Sequence, residues 1–341
     1  MLGENNYSSY TFSQDVQVCG RDAYAMKATI EHPFEREFLH AQSLAKELMD
    51  VIYDVYAAFR CGSSVSVSQD IQPIIERCQE SISRNLYAWL ALCQTKRKQS
   101  YLIEHAFRTT VLSMSLASAL KWDSRETLKL GLSALLSDVG KVMIPSSILN
   151  KEGALTSAEY AVIRVHPLEG RKLLQQLSDV DASVIDIVVS HHERIDGQGY
   201  PQGLTADQIP LSAKLIAITD AFDAMTSERA YASARSIDDA MKILVQCKGE
   251  QFDESLTDAF LALLGNVPSG LHVKSSSGRA LLILEPGRSL GSYRAISLSD
   301  GLELEIPTKD AVSSQSEYIA PDSIEAMNES HIQQLNALIT A

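Results

Sequence analysis

The spacing of apolar residues predicts helices over most of the first two thirds of the chain. Between residues 33 and 98, Leu48, Ile52 and Val55 recur at intervals of four and three residues, which is the period of one buried helix face. The segment CGSSVSV interrupts this pattern, and IQPIIERCQESISRNLYAWLAL begins a second helix. This N-terminal helical region is either a hairpin that forms a homodimer or one flank of the main domain. We favour the flank.

From residue 99 to about residue 265 the helical pattern is nearly continuous. Thr156 and Glu159 have the spacing of a capping box, so we expect a helix to begin there. Pro167 should kink that helix or end it just after His166, because proline cannot donate a backbone hydrogen bond. The segment ERIDGQGYPQGLTADQIP holds too many glycines and prolines for a helix, and it is predicted to be a structured loop.

The last part of the chain changes in character. Short β-type runs separated by glycine and proline predict a small β appendage over residues 266–308. Residues 309–341 read as a polar tail with a short helix, and residues 1–32 as a flexible lead-in. The fold class predicted is therefore mainly α: a helical bundle at 99–265, preceded by the helices of 33–98 and followed by the β appendage.

Composition narrows the possible partners. The net charge of −13 argues against binding a nucleic acid polymer, because such affinity comes from neutralised phosphates. No apolar run reaches the roughly 18–20 residues that cross a bilayer, so we expect no membrane insertion. The five cysteines are odd in number and show no C-x-x-C spacing. This favours reduced thiols and a cytoplasmic location over disulfides or a cysteine-based zinc site.

Histidine and aspartate residues carry the candidate chemistry. Asp138 and Asp220 lie in apolar helical contexts, where a carboxylate must be paired or bound to a metal because burial of a bare charge is unfavourable. His191 and His192 are adjacent and precede an acidic, glycine-rich loop. Imidazoles and carboxylates that converge from separate helices suit Fe, Mn or Zn. The spacing alone leaves a metal site and ordinary structural histidines equally open.

The segment HHERIDGQGYP, residues 191–201, resembles the signature loop of the HD-GYP family at its defining positions, and we call it the GYP loop. In family order, the chain also holds SDVGKVMIP, ILNKEGALTSAEY, RVHPLEG, IPLSAKLIAITDAFDAMTSERAY and the pair FD. The resemblance covers about residues 99–265. It implies a helical HD domain that hydrolyses cyclic di-GMP with divalent metals, of which Fe or Mn is expected, as one or two ions.

The resemblance also implies roles for individual residues. Asp138 would bridge two metals about 3.5–4 Å apart, and the metals would activate a water for in-line attack on phosphorus. Asp138 and Lys141 are thus the expected catalytic residues, and Lys141, Arg229 and Tyr200 the expected substrate-binding residues. The metal ligands implied are His105, Asp138, His166, His191, His192 and Asp220.

Residues around the ligands receive supporting roles. Gly197 and Gly199 would give the GYP loop unusual backbone angles, and Asp196 would brace the loop rather than bind metal. Asp223 and Glu193 are expected to orient histidines.

The chain departs from the family pattern at several positions. Ser137 stands where the family has the histidine of its His-Asp pair, so one metal should lose an imidazole and keep a water held by Ser137. Tyr101 replaces the glutamate of members with three metals, which argues against a third ion. Ala232 replaces a second basic residue, and Lys214 replaces the usual arginine in a milder change.

Three functions stay open at this point. The chain is an enzyme that opens cyclic di-GMP or a related cyclic dinucleotide, with activity impaired by Ser137. Alternatively it is a degenerate module that senses cyclic di-GMP or docks signalling proteins without turnover, or a helical scaffold with a structural metal. Signalling proteins of the diguanylate cyclase type are the expected partners of the GYP loop. We favour the phosphodiesterase.

Overall fold

A computed structural model describes residues 30–94, 100–228, 233–265, 267–275, 277–289 and 291–307. The helices are α1 (Phe34–Cys61), α2 (Gln72–Arg84), α3 (Leu86–Cys93), α4 (Tyr101–Ala119), α5 (Ser124–Leu136), α6 (Ser146–Leu149), α7 (Ser157–Ile163), α8 (His166–Leu174), α9 (Ala182–Ser190), α10 (Leu211–Thr226), α11 (Ile237–Cys247) and α12 (Glu254–Leu264). A π-helical turn spans Val67–Ile71, and a 3₁₀ turn spans Val139–Met143. The strands are β1 (His272–Lys274), β2 (Ala280–Pro286), β3 (Ser292–Ser297) and β4 (Glu303–Pro307).

The N-terminal helices α1–α3 share one hydrophobic core with α4, α5 and α8–α12. Leu48, Ile52 and Val55 are buried on α1 as their spacing predicts, and they belong to the same cluster as the central helices. Gly62 ends α1 with a left-handed backbone, a conformation that glycine adopts without strain. The structure therefore shows α1–α3 as a flank of the bundle, and Tyr56 of α1 reaches the backbone of α5 by donating a hydrogen bond to the carbonyl of Leu135.

The four strands form one antiparallel sheet in the order β1-β2-β3-β4, which agrees with the predicted β appendage. The sheet has a small core of its own, built around Leu281, Ile283 and Ala295. Arg294 of β3 pairs with Glu285 of β2 and, at 2.7 Å, with Glu35 of α1. The pair with Glu35 connects the sheet to the helical core.

Helices make up most of the described elements, and the strands form only this one small sheet. The mainly α fold class is confirmed.

Two helix boundaries differ from the expectation. Thr156 begins α7 with the predicted capping box, but α7 ends at Ile163, and His166 starts the next helix rather than closing this one. The reason is that Pro167 lies in the first turn of α8, where its missing N–H has no helical partner to lose. The second predicted helix is likewise divided, because Asn85 takes an extended backbone and caps α3.

Several predicted features lie outside the described residues: Arg229, Ala232, the terminal helix within 309–341, and almost all of the lead-in. None of the helices in the described part of the chain is long and apolar enough to cross a membrane. No disulfide joins the cysteines that the structure describes, Cys61, Cys78, Cys93 and Cys247.

Candidate metal centre

Two buried histidines face each other between α8 and α9. Nε2 of His166 lies 3.3 Å from Nε2 of His191. The other ring nitrogen of each histidine is 2.6–2.8 Å from a main-chain carbonyl, that of Ile163 for His166 and that of Val188 for His191. A carbonyl accepts only from N–H, so both Nδ1 atoms carry hydrogen, and in the neutral form of each ring Nε2 presents its lone pair to the same space.

Asp138 directs an unpaired oxygen into that space. It follows α5 at the start of the 3₁₀ turn and is 1% exposed. Its Oδ1 is buried, has no hydrogen-bond partner, and lies 3.3 Å from Nε2 of His166 and 3.8 Å from Nε2 of His191. A buried carboxylate oxygen without a partner is costly. With His192, these residues have ligand atoms within 4.8 Å of one another, a donor set that fits a divalent metal.

The protonation states of His191 and His192 also suit metal binding. Burial and the neighbouring His166 lower the pKa of His191 to about 4. Burial and His191 hold the pKa of His192 well below its usual value. Both imidazoles are therefore neutral at physiological pH, which is the form that binds metals. Burial alone would raise the pKa of Asp138, but Lys141 and the imidazole of His105 hold it well below its usual range, so Asp138 is ionised.

A second cluster uses the other oxygen of Asp138. Nε2 of His105, on α4, lies 3.3 Å from Oδ2 of Asp138 and 2.8 Å from Oδ1 of Asp220, on α10. His105, Asp138 and Asp220 again have ligand atoms within 4.8 Å of one another. Asp138 thus stands between the two clusters with one oxygen toward each, an arrangement that could bridge two metals.

Asp223 holds His105 in place. Its Oδ2 lies 2.6 Å from Nδ1 of His105, and its Oδ1 accepts a hydrogen bond from Arg108. Burial would lower the pKa of His105, but Tyr101 and the three carboxylates around the ring raise that pKa well above its usual value. A carboxylate behind a histidine fixes the orientation of the ring toward a metal, so the structure supports the predicted role of Asp223.

Glu193 does something other than expected. Instead of orienting a histidine, its buried carboxylate accepts hydrogen bonds from the backbone N–H groups of Gln202, Gly203 and Leu204. It therefore organises the segment that follows the GYP loop. Asp196 accepts hydrogen bonds from Arg194 and from the backbone of Gln198, so it braces the loop.

The two glycines of the GYP loop differ in what they require. Gly197 has φ = +75°, which agrees with the predicted unusual backbone. Gly199 has no positive φ, so the unusual backbone angle predicted for it is not found. Its requirement is space, because a Cβ at position 199 would overlap the backbone of Glu193 and Arg194.

Tyr200 lies directly against the histidine cluster. Its ring stacks on the ring of His192, with centroids 4.7 Å apart, and the peptide bond to Pro201 is cis. The guanidinium of Arg164 lies over the Tyr200 ring, with its central carbon 4.5 Å from the ring centroid. Arg164 was not among the residues expected from the sequence, although it stands two residues before His166 in the motif RVHPLEG.

The departures from the family pattern have visible consequences. Ser137 is the residue that follows α5, and its buried hydroxyl donates a hydrogen bond to the carbonyl of Ala134. Tyr101 stacks on the ring of His105, with centroids 5.3 Å apart. Lys214 lies 3.8 Å from Asp253.

The structure brings all six expected ligands together. Lys141 is beside them, but its ammonium is paired with Asp138 at 2.6 Å.

Comparisons with known proteins agree with this geometry. Residues 94–256 match the family model of the HD domain. The chain is 34% identical over 257 residues to a cyclic di-GMP phosphodiesterase of Pseudomonas aeruginosa, covering 75% of this chain and 62% of that protein. It is 40% identical over 147 residues to the cyclic di-GMP phosphodiesterase response regulator RpfG of Xanthomonas campestris, covering 42% of this chain and 39% of that protein.

A solved structure shows the same fold. An HDG"Y"P protein from Bdellovibrio bacteriovorus superimposes with a TM-score of 0.52 at 19% identity, over 71% of this chain and 75% of that one. The chain spans less than two thirds of either curated relative. With its GYP loop, its ordered motifs and its histidine and aspartate clusters, the chain belongs to the HD-GYP family of HD-domain proteins.

Proposed function

We propose that this chain is a metal-dependent phosphodiesterase that opens cyclic di-GMP or a related cyclic dinucleotide. The observation that carries the proposal is the pair of Nε2 atoms of His166 and His191, 3.3 Å apart beside the unpaired Oδ1 of Asp138. A divalent cation stabilises three electron-donating atoms that surround one buried point. The names of the Pseudomonas and Xanthomonas relatives point to cyclic di-GMP as the substrate.

The chain's own residues divide the work between them. The proposed ligands of one metal are Asp138, His166, His191 and His192, and those of a second are His105, Asp138 and Asp220. A bound divalent metal supplies Lewis acidity and lowers the pKa of water, which is what phosphodiester hydrolysis at neutral pH requires. Mixed nitrogen and oxygen donors favour Fe or Mn over Mg.

Other side chains would orient the substrate. Lys141 carries a positive charge beside Asp138 and is the proposed cation for a phosphate oxygen. Tyr200, whose ring stacks on His192, is the proposed side wall of the substrate-binding site. Arg229, expected from the sequence to bind phosphate, stays a prediction, as do the protein partners of the GYP loop, a homodimer and the cytoplasmic location.

One observation favours a second candidate, a receptor that binds cyclic di-GMP without turnover. Ser137 offers no imidazole, and its hydroxyl is used by the carbonyl of Ala134. The second cluster consequently has a single histidine, His105. A protein with only the first metal would hold a phosphate ester but would lack the second charge that stabilises the leaving oxygen.

Metal content and turnover, measured on the same samples, test the proposal. The full chain is stripped with a chelator, loaded anaerobically with Fe(II) or Mn(II), and assayed on cyclic di-GMP. His191→Ala should lower metal affinity by at least about 10–100-fold, the loss seen when only an outer partner of a ligand is removed. His40→Ala, which removes an exposed histidine of α1, is the matched control and should change nothing.

The outcomes separate the candidates. Wild-type protein that binds metal and hydrolyses cyclic di-GMP, with both properties lost in His191→Ala, supports the phosphodiesterase. Metal-loaded protein that binds cyclic di-GMP without product supports the receptor. Wild-type protein that takes up no metal overturns both.

A further inference from the structure

The ring of Tyr200 contacts two other planar groups at the edge of the metal centre, the imidazole of His192 and the guanidinium of Arg164, and we call these three side chains the stack. The imidazole of His192 is 21% exposed, and the ring of Tyr200 lies 4.7 Å from it at an interplanar angle of 28°. The guanidinium of Arg164 lies 4.5 Å from the centroid of the Tyr200 ring. The stack therefore runs outward from a proposed metal ligand to an exposed cation.

Arg164 has no carboxylate partner among the residues that the structure describes. It follows the last turn of α7 and is exposed, held only by its main chain and by Tyr200. Tyr160, four residues earlier on the same helix face, is 51% exposed. An arginine pinned on an aromatic ring keeps its N–H edge and its outer surface available, with less conformational freedom to lose on binding.

We propose that Arg164, supported by Tyr200, is the binding site for a guanine base of the cyclic dinucleotide. The inference rests on the proposed function and names the residue that reads the base. The guanidinium edge can donate two hydrogen bonds to O6 and N7 of guanine, and its plane can stack on a purine. Adenine has a donor where guanine has O6, so the same edge disfavours it.

Position along the stack favours a base over a phosphate as the ligand of Arg164. The phosphate that reacts must lie at the clusters around Asp138, where Lys141 already provides a cation. Arg164 contacts the Tyr200 ring at 4.5 Å, and that ring contacts the His192 ring at 4.7 Å, so Tyr200 links Arg164 to the clusters. The part of a nucleotide that extends this far from its phosphate is the base.

GMP and ribose 5-phosphate provide a matched pair of probes, because they share ribose and phosphate and differ in the guanine. Their binding to the Mn-loaded full chain is measured by calorimetry, together with the KM for cyclic di-GMP. Arg164→Ala should weaken GMP binding about 5–100-fold and leave ribose 5-phosphate binding unchanged. Arg164→Lys should behave like Arg164→Ala, because lysine lacks the planar fork.

Lys172→Ala is the control for net charge. Lys172 is on α8, its side chain is 67% exposed, and it pairs with Glu169, so its loss should affect neither probe. Equal weakening of both probes by Arg164→Ala would show that Arg164 acts on phosphate and would overturn the inference. Unchanged binding of both probes would overturn it as well. Wild-type protein that binds metal but neither hydrolyses nor binds cyclic di-GMP would instead refute the proposed function, on which the inference rests.

Discussion

The ammonium of Lys141 lies 2.6 Å from Oδ2 of Asp138, the carboxylate that stands between the two clusters. Only 16% of the lysine side chain is exposed, and Asp138 is almost fully buried. Lys141 therefore neutralises part of the charge that would otherwise attract a metal. The same lysine is the cation proposed for the substrate.

Replacing Lys141 should accordingly have opposite effects on metal binding and turnover. Lys141→Met leaves Asp138 without its cation, so the stripped protein should lose up to about 3–5 kcal/mol of unfolding free energy. Metal should bind more tightly, since one repelling charge is gone, while hydrolysis of cyclic di-GMP should fall. Denaturant unfolding, metal titration and activity measure the three effects. Lys129→Met, which breaks a pair with Glu126 on the partly exposed face of α5, is the control. Weaker metal binding in Lys141→Met would contradict the prediction.

Ser137→His should restore the imidazole that the family pattern contains. Position 137 ends α5 immediately before Asp138, and neutral imidazole binds Fe, Mn or Zn better than a hydroxyl does. Metal content should rise toward two per chain, and turnover should rise with it. Elemental analysis and cyclic di-GMP hydrolysis, on samples loaded side by side, provide the measurement. Wild-type protein that already holds two metals and reacts as fast would show that Ser137 is no defect.

Gly140→Ala should displace His166. A Cβ at position 140 would overlap the main-chain carbonyl of His166 and the amide of Gly170. Overpacking of this kind costs about 1–3 kcal/mol of unfolding free energy, and metal affinity should fall with it. Gly170→Ala is a close control, because a Cβ there has ordinary contacts, the nearest 3.5 Å from a methyl of Val188. Equal metal affinity in the two variants would refute the steric explanation.

Glu37 should make stability depend on pH in the acid range. Burial would raise its pKa, but hydrogen bonds from Arg84, Ser81 and His32 lower it below 4.5. A lowered folded pKa means that the stabilisation is present above pH 4.5 and is lost as the pH falls through the folded value. Glu37→Gln should cost about 1.5–3 kcal/mol at neutral pH, and the difference from wild type should shrink below pH 4.5. Unfolding in urea at several pH values tests this, and a constant difference would contradict it.

The local sequence was sufficient to predict features that depend on neighbours along the chain. The apolar period predicted the buried face of α1, and Thr156 with Glu159 predicted the start of α7. The ordered motifs indicated the ligand set, because the metal ligands of a family recur in the same order along its chains. These signals are local or inherited, so they can be detected before any contact between distant segments is known.

Contacts between distant segments decided the rest. Glu193 neighbours two histidines in sequence, yet its carboxylate binds the backbone beyond the GYP loop, because the loop folds back over it. Arg164 became a candidate for binding the base only because its guanidinium lies over the ring of Tyr200, 36 positions later in the chain. Lys141 pairs with Asp138 because the 3₁₀ turn brings its side chain back within 2.6 Å of the carboxylate. The sequence alone determined which residue types are available to the site. The packing of α4, α8, α9 and α10 decided which atoms face one another, because hydrogen-bond partners follow distance in space.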